Sequence, residues 1–247
     1  MENYIFGIRP ILEALKSGNS SSIDKILVSK TLTGELASEL FKELRKNNIN
    51  IQYVPVEKIN TITNKNHQGV LAYISPIEYQ DIETVVSKTF ETGRLPLIVI
   101  LDSITDVRNF GAIARSCECA GVNAIIIPSR NNAKINEDAI KTSSGALFNI
   151  PVCKVDNLVD SILLLQQMGL TVFAVSEKTN TLIYDENFTQ PTALIFGSED
   201  TGISNQLLKR ANNTVKIPMT GKTESLNVSV SAAIAIYEVI RQRNYAK

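Results

Sequence analysis

Tryptophan is absent from the 247 residues, histidine occurs once and cysteine three times. A single histidine excludes a metal centre built on several imidazoles. It also makes any Ser–His relay depend on His67 alone. Three cysteines cannot all pair, and they lack zinc-ligand spacing; a reducing compartment fits. No apolar run approaches the ~20 residues that span a bilayer. The first residues, Met1-Glu-Asn-Tyr-Ile-Phe, carry no basic stretch and no signal-peptide core. The expectation is a soluble cytoplasmic protein with no membrane partner. Excess charge of either sign is lacking too, with 25 Lys+Arg against 25 Asp+Glu. That balance weighs against strong non-specific phosphate binding but leaves room for a local basic patch. No G-x-G-x-x-G follows the first strand of either half, which disfavours a standard dinucleotide fold. No G-x-S-x-G elbow is present. Gly221-Lys222-Thr223 lacks the earlier glycine of a phosphate loop, so a Walker site is disfavoured.

What is present reads as two halves. A chain of this length suggests one large or two modest domains. Residues 1–75 alternate helix and strand. Gly7-Ile-Arg-Pro-Ile-Leu-Glu-Ala-Leu opens a helix, with Pro10 tolerated near its first turn. Strands fall at Lys25–Ser29, Ile51–Val54 and Val70–Ile74. Apolar residues at 36, 37, 40, 41 and 44 give a helix between them. This small α/β unit carries nine Lys+Arg and seven Asp+Glu, net +2. Residues 76–95 are more polar, net −2, and read as a linker with a helix near 81–90. Residues 96–247 hold apolar runs at Leu95–Leu101, Ala124–Ile127, Thr171–Val175 and Thr192–Phe196, separated by helical stretches. Such runs suit parallel strands buried on both faces, so a wound parallel sheet is expected. A long helix closes the chain over about 227–244.

Ligands of wound sheets bind beyond the carboxyl ends of the strands. Three loops there carry chemistry. In Asp102-Ser-Ile-Thr-Asp-Val-Arg-Asn-Phe-Gly-Ala-Ile-Ala-Arg115, Asn109 reads as the cap of the following helix. Arg115 either leans back toward the helix start over Gly111 and Ala112, or pairs with Glu118 at i+3. In Phe196-Gly-Ser-Glu-Asp-Thr-Gly202, Gly197 permits close approach of a ligand and Gly202 a positive φ. Glu199 can accept from a hydroxyl or amine, or the loop is an acidic turn leading to a helix capped by Ser204. In Ile217-Pro-Met-Thr-Gly…Ser225-Leu-Asn-Val-Ser-Val-Ser231, Ser225 and Asn227 precede a helix rich in small residues, as caps or as site groups. Cys117 and Cys119, two apart on a helix, face different directions and read as packing.

Together and in this order, the three loops resemble the SpoU (TrmH-like) branch of the SPOUT RNA methyltransferases. Gly7-Ile-Arg-Pro-Ile-Leu-Glu-Ala-Leu and His67-Gln-Gly-Val resemble the small ribosomal-protein-like RNA-binding domain of the branch that methylates a 23S rRNA guanosine. The one departure is Val107, where the family usually has proline. The resemblance implies a SPOUT domain with a deep trefoil knot, a homodimer, S-adenosylmethionine as methyl donor and no metal. It implies 2′-O-methylation of RNA ribose, on 23S rRNA in this branch. Tied to it are Arg115, Asn109, Glu199, Ser225 and Asn227 as catalytic residues, and Gly197, Ile217, Leu226 and Ser176 as cofactor contacts. Arg9, Lys65 and His67 are implied RNA contacts. A tRNA ribose methyltransferase, an antibiotic-resistance rRNA methyltransferase and a catalytically silent RNA-binding or ribosome-assembly protein are the competing readings. In the implied reaction a ribose hydroxyl attacks a sulfonium methyl in line. Guanidinium does not give up its proton at ordinary pH, so Arg115 is expected to act as a cation rather than a base.

Overall fold

The computed structural model describes residues 4–16, 22–47, 49, 51–223 and 225–245. They form two units, 1–78 and 79–247.

The first unit runs β1 (Tyr4–Phe6), α1 (Ile8–Lys16), β2 (Ile23–Ser29), α2 (Glu35–Lys46), β3 (Ile51–Val54), α3 (Val56–Asn60) and β4 (Val70–Ile74). Its sheet has the order β1-β4-β2-β3, with β2 and β3 parallel and the other neighbours antiparallel. Alternation along the strands sorts side chains onto two faces. Ile26, Val28, Val70 and Ala72 pack under α1 and α2, where Ile11, Leu12, Leu15, Leu40 and Leu44 supply the helical share of the core. The opposite face buries Leu27, Val54 and Leu71 against Ile59 of α3.

The second unit begins with α4 (Ile82–Glu91) and continues β5 (Leu97–Asp102), α5 (Val107–Cys119), β6 (Ala124–Pro128), α6 (Glu137–Thr142), β7 (Val152–Val155), α7 (Leu158–Gln167), β8 (Thr171–Val175), β9 (Thr192–Gly197), α8 (Asn205–Leu208), β10 (Asn213–Val215) and α9 (Val228–Tyr245). Its six strands are all parallel, in the order β10-β8-β9-β5-β6-β7. One face meets α4, α7 and α8 through Ile98, Ile100, Ile126, Val172 and Ile195. On the other side α5 packs against α6 and α9. Burial of the sheet between helix layers explains the unbroken apolar runs. Cys117 and Cys153 are buried and Cys119 is exposed. Burial pushes the Cys153 thiol up to about 12, so it stays protonated and inert.

The linker expected at 76–95 needs correction. Asp81 caps α4 through the Thr84 amide, and Ile82 and Val86 join the second unit's core. Tyr79 bridges to Val152 and the Gln80 amide donates to its carbonyl. The segment's polar residues are the outer face of a docked helix. Three strands were not anticipated: β1, β7 and β10. All have three or four residues, too few for a period to show.

Candidate active site

The carboxyl ends of the central strands meet in register. Asp102 of β5 pairs with Gly197 of β9, and Ala174 of β8 pairs with Ile195. Ser176 therefore falls level with Gly197, and its amide donates to the Val215 carbonyl of β10 at 2.9 Å. Ile217 follows two residues on. Ser176, Gly197 and Ile217 thus lie along one edge of the sheet, with neighbouring strands about 4.8 Å apart.

The three loops converge there. Asn227 sits just before α9, and its Oδ1 accepts from the Ser229 amide at 3.0 Å, which caps the helix. Its Nδ2 donates to Asn109 Oδ1 at 2.9 Å and also to Glu199 Oε1. Glu199 Oε1 accepts in addition from the Val228 amide at 3.3 Å. One side chain therefore joins residues from the first, second and third loops. Leu226, half-buried, and Ser225, exposed, precede it in the chain. Arg115 is exposed on α5, six residues after Asn109. Among the described residues no ion pair joins it to Glu118.

Several expectations change. Asn109 does not cap α5; Asp106 does, accepting from the Asn109 amide at 2.8 Å. That leaves the Asn109 side chain available to Asn227. Val107 is the first helical residue. There the amide lacks an intrahelical partner in any case, so proline is favoured but not required. Gly111 clears no path for Arg115. A Cβ on it would lie 2.6 Å from Thr142 Cβ, so glycine lets α5 pack on the end of α6. At Gly197 the close approach is made by the chain itself. A Cβ there would lie 2.1 Å from the Gly202 carbonyl carbon. Gly202 does take positive φ, 66°, as its loop turns back. Ser204 starts α8 without a side-chain cap, and its amide donates to Asp102 Oδ2 at 2.8 Å.

Asp102 was not singled out from the sequence. It is buried, holds the Ser103 hydroxyl at 3.1 Å, and ties the second loop to the end of β5. Ser103 beside it has φ 61°, an uncommon conformation for a non-glycine residue. An acidic residue ending an otherwise apolar strand was the signal available.

In the first unit, Arg9 and Lys65 are exposed. His67 is 7% exposed, which corrects the expectation that it faces RNA. Its Nδ1 accepts from the Gly69 amide at 3.0 Å, so Nε2 carries the proton and donates to Asn60 Oδ1 at 2.7 Å. Gln68, at φ 52°, accepts from the Ile8 amide at the start of α1. His67-Gln-Gly is a structural turn.

Among the described residues no group of His, Cys, Asp and Glu could hold a metal, and no helix is long and apolar enough to cross a membrane. A parallel sheet whose strand ends gather a carboxylate, amides and half-buried apolar side chains defines an α/β protein equipped to bind a polar organic ligand at that edge.

The chain belongs to the SpoU rRNA methylase family, whose model matches residues 96–237; residues 4–80 match a second model, that of RNA 2′-O ribose methyltransferase substrate-binding domains. It is 35% identical over 244 residues to a Staphylococcus saprophyticus protein named for the TrmH family of tRNA/rRNA methyltransferases, covering 99% of this chain and 97% of that one. It is 31% identical to a Bacillus subtilis protein of the same designation, YacO, with 98% and 96% covered. Among solved structures, the SpoU methyltransferase AviRb from Streptomyces viridochromogenes superposes with a TM-score of 0.60 at 25% identity, over 98% of this chain and 90% of that one. A related AviRb structure contains the cofactor AdoMet.

Proposed function

We propose that this protein is an S-adenosylmethionine-dependent RNA 2′-O-ribose methyltransferase, acting on a guanosine of 23S rRNA as a knotted homodimer. The observation that carries the reading is the Asn227 amide joined to both Asn109 and Glu199 at the carboxyl edge of the sheet. The family membership and the substrate-binding match of the first unit support an RNA substrate. Spanning both models distinguishes it from a methyltransferase domain alone and favours the rRNA branch over tRNA. The half-exposed face of α9, with Val230 and Tyr237, supports a second copy packing there.

The edge fits the donor. Ile217 and Leu226 are half-buried apolar side chains for a heterocycle, and Ser176 adds a hydroxyl and backbone groups. Gly197 ends its strand without a side chain, although the adjoining loop takes the space a Cβ would need. When bound, S-adenosylmethionine supplies an electrophilic methyl on a positively charged sulfur. This chain's residues supply position, charge and a place for the proton. Arg115, exposed and cationic, stabilises developing alkoxide and grips phosphate. The Asn109–Asn227–Glu199 group fixes the floor against which the ribose is oriented, with Ser225 at its rim. Positioning of this kind can contribute up to ~7–11 kcal/mol. Arg9 and Lys65 meet RNA phosphates on the first unit.

The test is transfer of labelled methyl to rRNA fragments, with ribose methylation mapped in a strain lacking the gene. Loss of one 23S 2′-O-methyl mark is the expected result; an unchanged 23S pattern refutes the rRNA assignment. Arg115→Ala is expected to bind S-adenosylmethionine almost as well as wild type, by calorimetry, and to lose turnover by about 10²-fold or more. Wild-type turnover in that variant removes its assigned role.

A further inference from the structure

We infer that the α3-side face of the first unit's sheet is a stacking platform for unpaired bases of the RNA substrate. The inference deepens the proposed function by naming the surface and the RNA form it takes. Register places the residues. Tyr4 of β1 lies opposite Tyr73 of β4, and Tyr73 lies opposite Lys25 of β2. These three form one row across adjacent strands, about 10 Å from end to end. Two residues along β1, Phe6 joins the same face. The Tyr4 and Phe6 rings are 6.3 Å apart.

The two faces of this sheet are treated differently. On the face under α1 and α2 the strands contribute Ile26, Val28, Val70 and Ala72, with the Phe41–Tyr53 ring pair at its β3 edge. On the other, the five-residue α3 covers Leu27, Val54 and Leu71, while Tyr4, Phe6 and Tyr73 remain half-buried. Tyr4, Phe6 and Tyr73 pack one side of each ring on the small core of Leu27, Ile59 and Leu71, and the short α3 leaves them part-exposed. Each end of the ring cluster also carries a cation. Lys25 Nζ lies 4.8 Å from the Tyr73 ring centroid, and Lys65 Nζ lies 5.8 Å from that of Phe6. A row of rings with an ammonium group at each end suits a short run of bases whose flanking phosphates meet the two cations. A base takes the ring face that the ammonium covers, and the lysine's flexible stem carries its charge to the neighbouring phosphate. A duplex keeps its bases inward and offers this surface no ring to stack. Unpaired RNA is therefore the occupant, in accord with an enzyme whose target nucleotide must leave the stack.

The experiment measures binding by the full-length protein, without methyl donor, to a fluorescein-labelled single-stranded RNA and to the same strand in a blunt duplex. Tyr73→Leu and Phe6→Leu keep apolar bulk and remove the ring. Each is expected to weaken single-strand binding about fivefold or more, and to change duplex binding little. Lys65→Met alters an exposed side chain and leaves folding intact; it is expected to lower the salt dependence of single-strand binding. Thermal melting checks the two ring variants, and Lys65→Met keeps the test decisive if either is unstable. Unchanged single-strand affinity in all three variants overturns the platform, as does equal loss for duplex and single strand. Because no methyl transfer is read, failure of the catalytic proposal and failure of the platform give separate results.

Discussion

Asn227 performs two tasks with one amide. Its oxygen caps α9 through the Ser229 amide, and its nitrogen bridges Asn109 and Glu199. Asn227→Asp separates them. The carboxylate still accepts from the Ser229 amide but cannot donate, and it sets a second negative charge against Glu199. Turnover is expected to fall about 10²-fold or more while the melting temperature stays close to wild type. Methyl-transfer kinetics beside a thermal melt check both halves, and retained turnover would show that the bridge is dispensable. At this scale the sequence identifies the participants and not their partners. Asn109, Glu199 and Asn227 stand out because amides and carboxylates at strand ends are chemically conspicuous. Their contacts span 118 and 28 positions, beyond any local pattern. Asn109 also illustrates a competition between caps. Two residues near a helix start can each accept from a free amide, and Asp106, three residues before the Asn109 amide, takes it. His67 and Gly197 mislead for a related reason. Both belong to turns that close on their own backbone, and sequence does not reveal which neighbour approaches.

Among the elements, α9 shows how a helix is fixed at both ends. Its start carries the site; its end carries Arg243. The Arg243 guanidinium donates to the carbonyls of Phe188, Leu95, Pro96 and Gln190, at distances from 2.6 to 3.1 Å. These carbonyls precede β9 and β5, so one side chain ties the last helix to the entry of the two central strands. Burial lowers the Arg243 pKa to about 10, which leaves it cationic at neutral pH. One turn earlier, Glu238 accepts from Arg241 at both oxygens and from Gln242, and Gln242 in turn holds the Phe188 amide and the Glu186 carbonyl. Arg243→Ala takes a donor from the Phe188 and Leu95 carbonyls, while those of Pro96 and Gln190 keep Thr192, and it is expected to cost about 2 kcal/mol of stability, measured by chemical denaturation. A cost below ~0.5 kcal/mol would place the anchoring elsewhere. Nothing in Arg-Gln-Arg-Asn-Tyr announces this role, because a helix terminus rich in polar residues looks the same whether solvated or docked. The helices and long strands themselves were legible, since periodicity reports a buried face directly. Polar β10, with Asn213 and Thr214, lacked that signature, as edge strands often do.

For the whole molecule, the two-unit organisation was legible from composition, and only the boundary moved. It moved because α4 presents few buried residues in sequence yet commits Ile82 and Val86 to the second core. The proposed dimer rests on what α9 leaves uncovered. Its inner side buries Val228, Ala232, Ala235, Ile236 and Val239 within this chain. Val230 is 46% and Tyr237 51% exposed, and Ile234 between them is half-exposed. Spacings of four and three place the three on one stripe. An apolar stripe on the helix that also organises the site gives the proposed dimer its contact and links assembly to catalysis. Tyr237→Glu discriminates. On a solvated monomer surface such a change is worth within ~0.5 kcal/mol and alters nothing else. In a subunit interface it buries an unpaired carboxylate and separates the copies. Light scattering at micromolar protein is expected to give a dimer for wild type and a monomer for the variant, with methyl transfer lost alongside. A wild-type monomer, or a variant that remains dimeric, would remove α9's outer stripe from the interface.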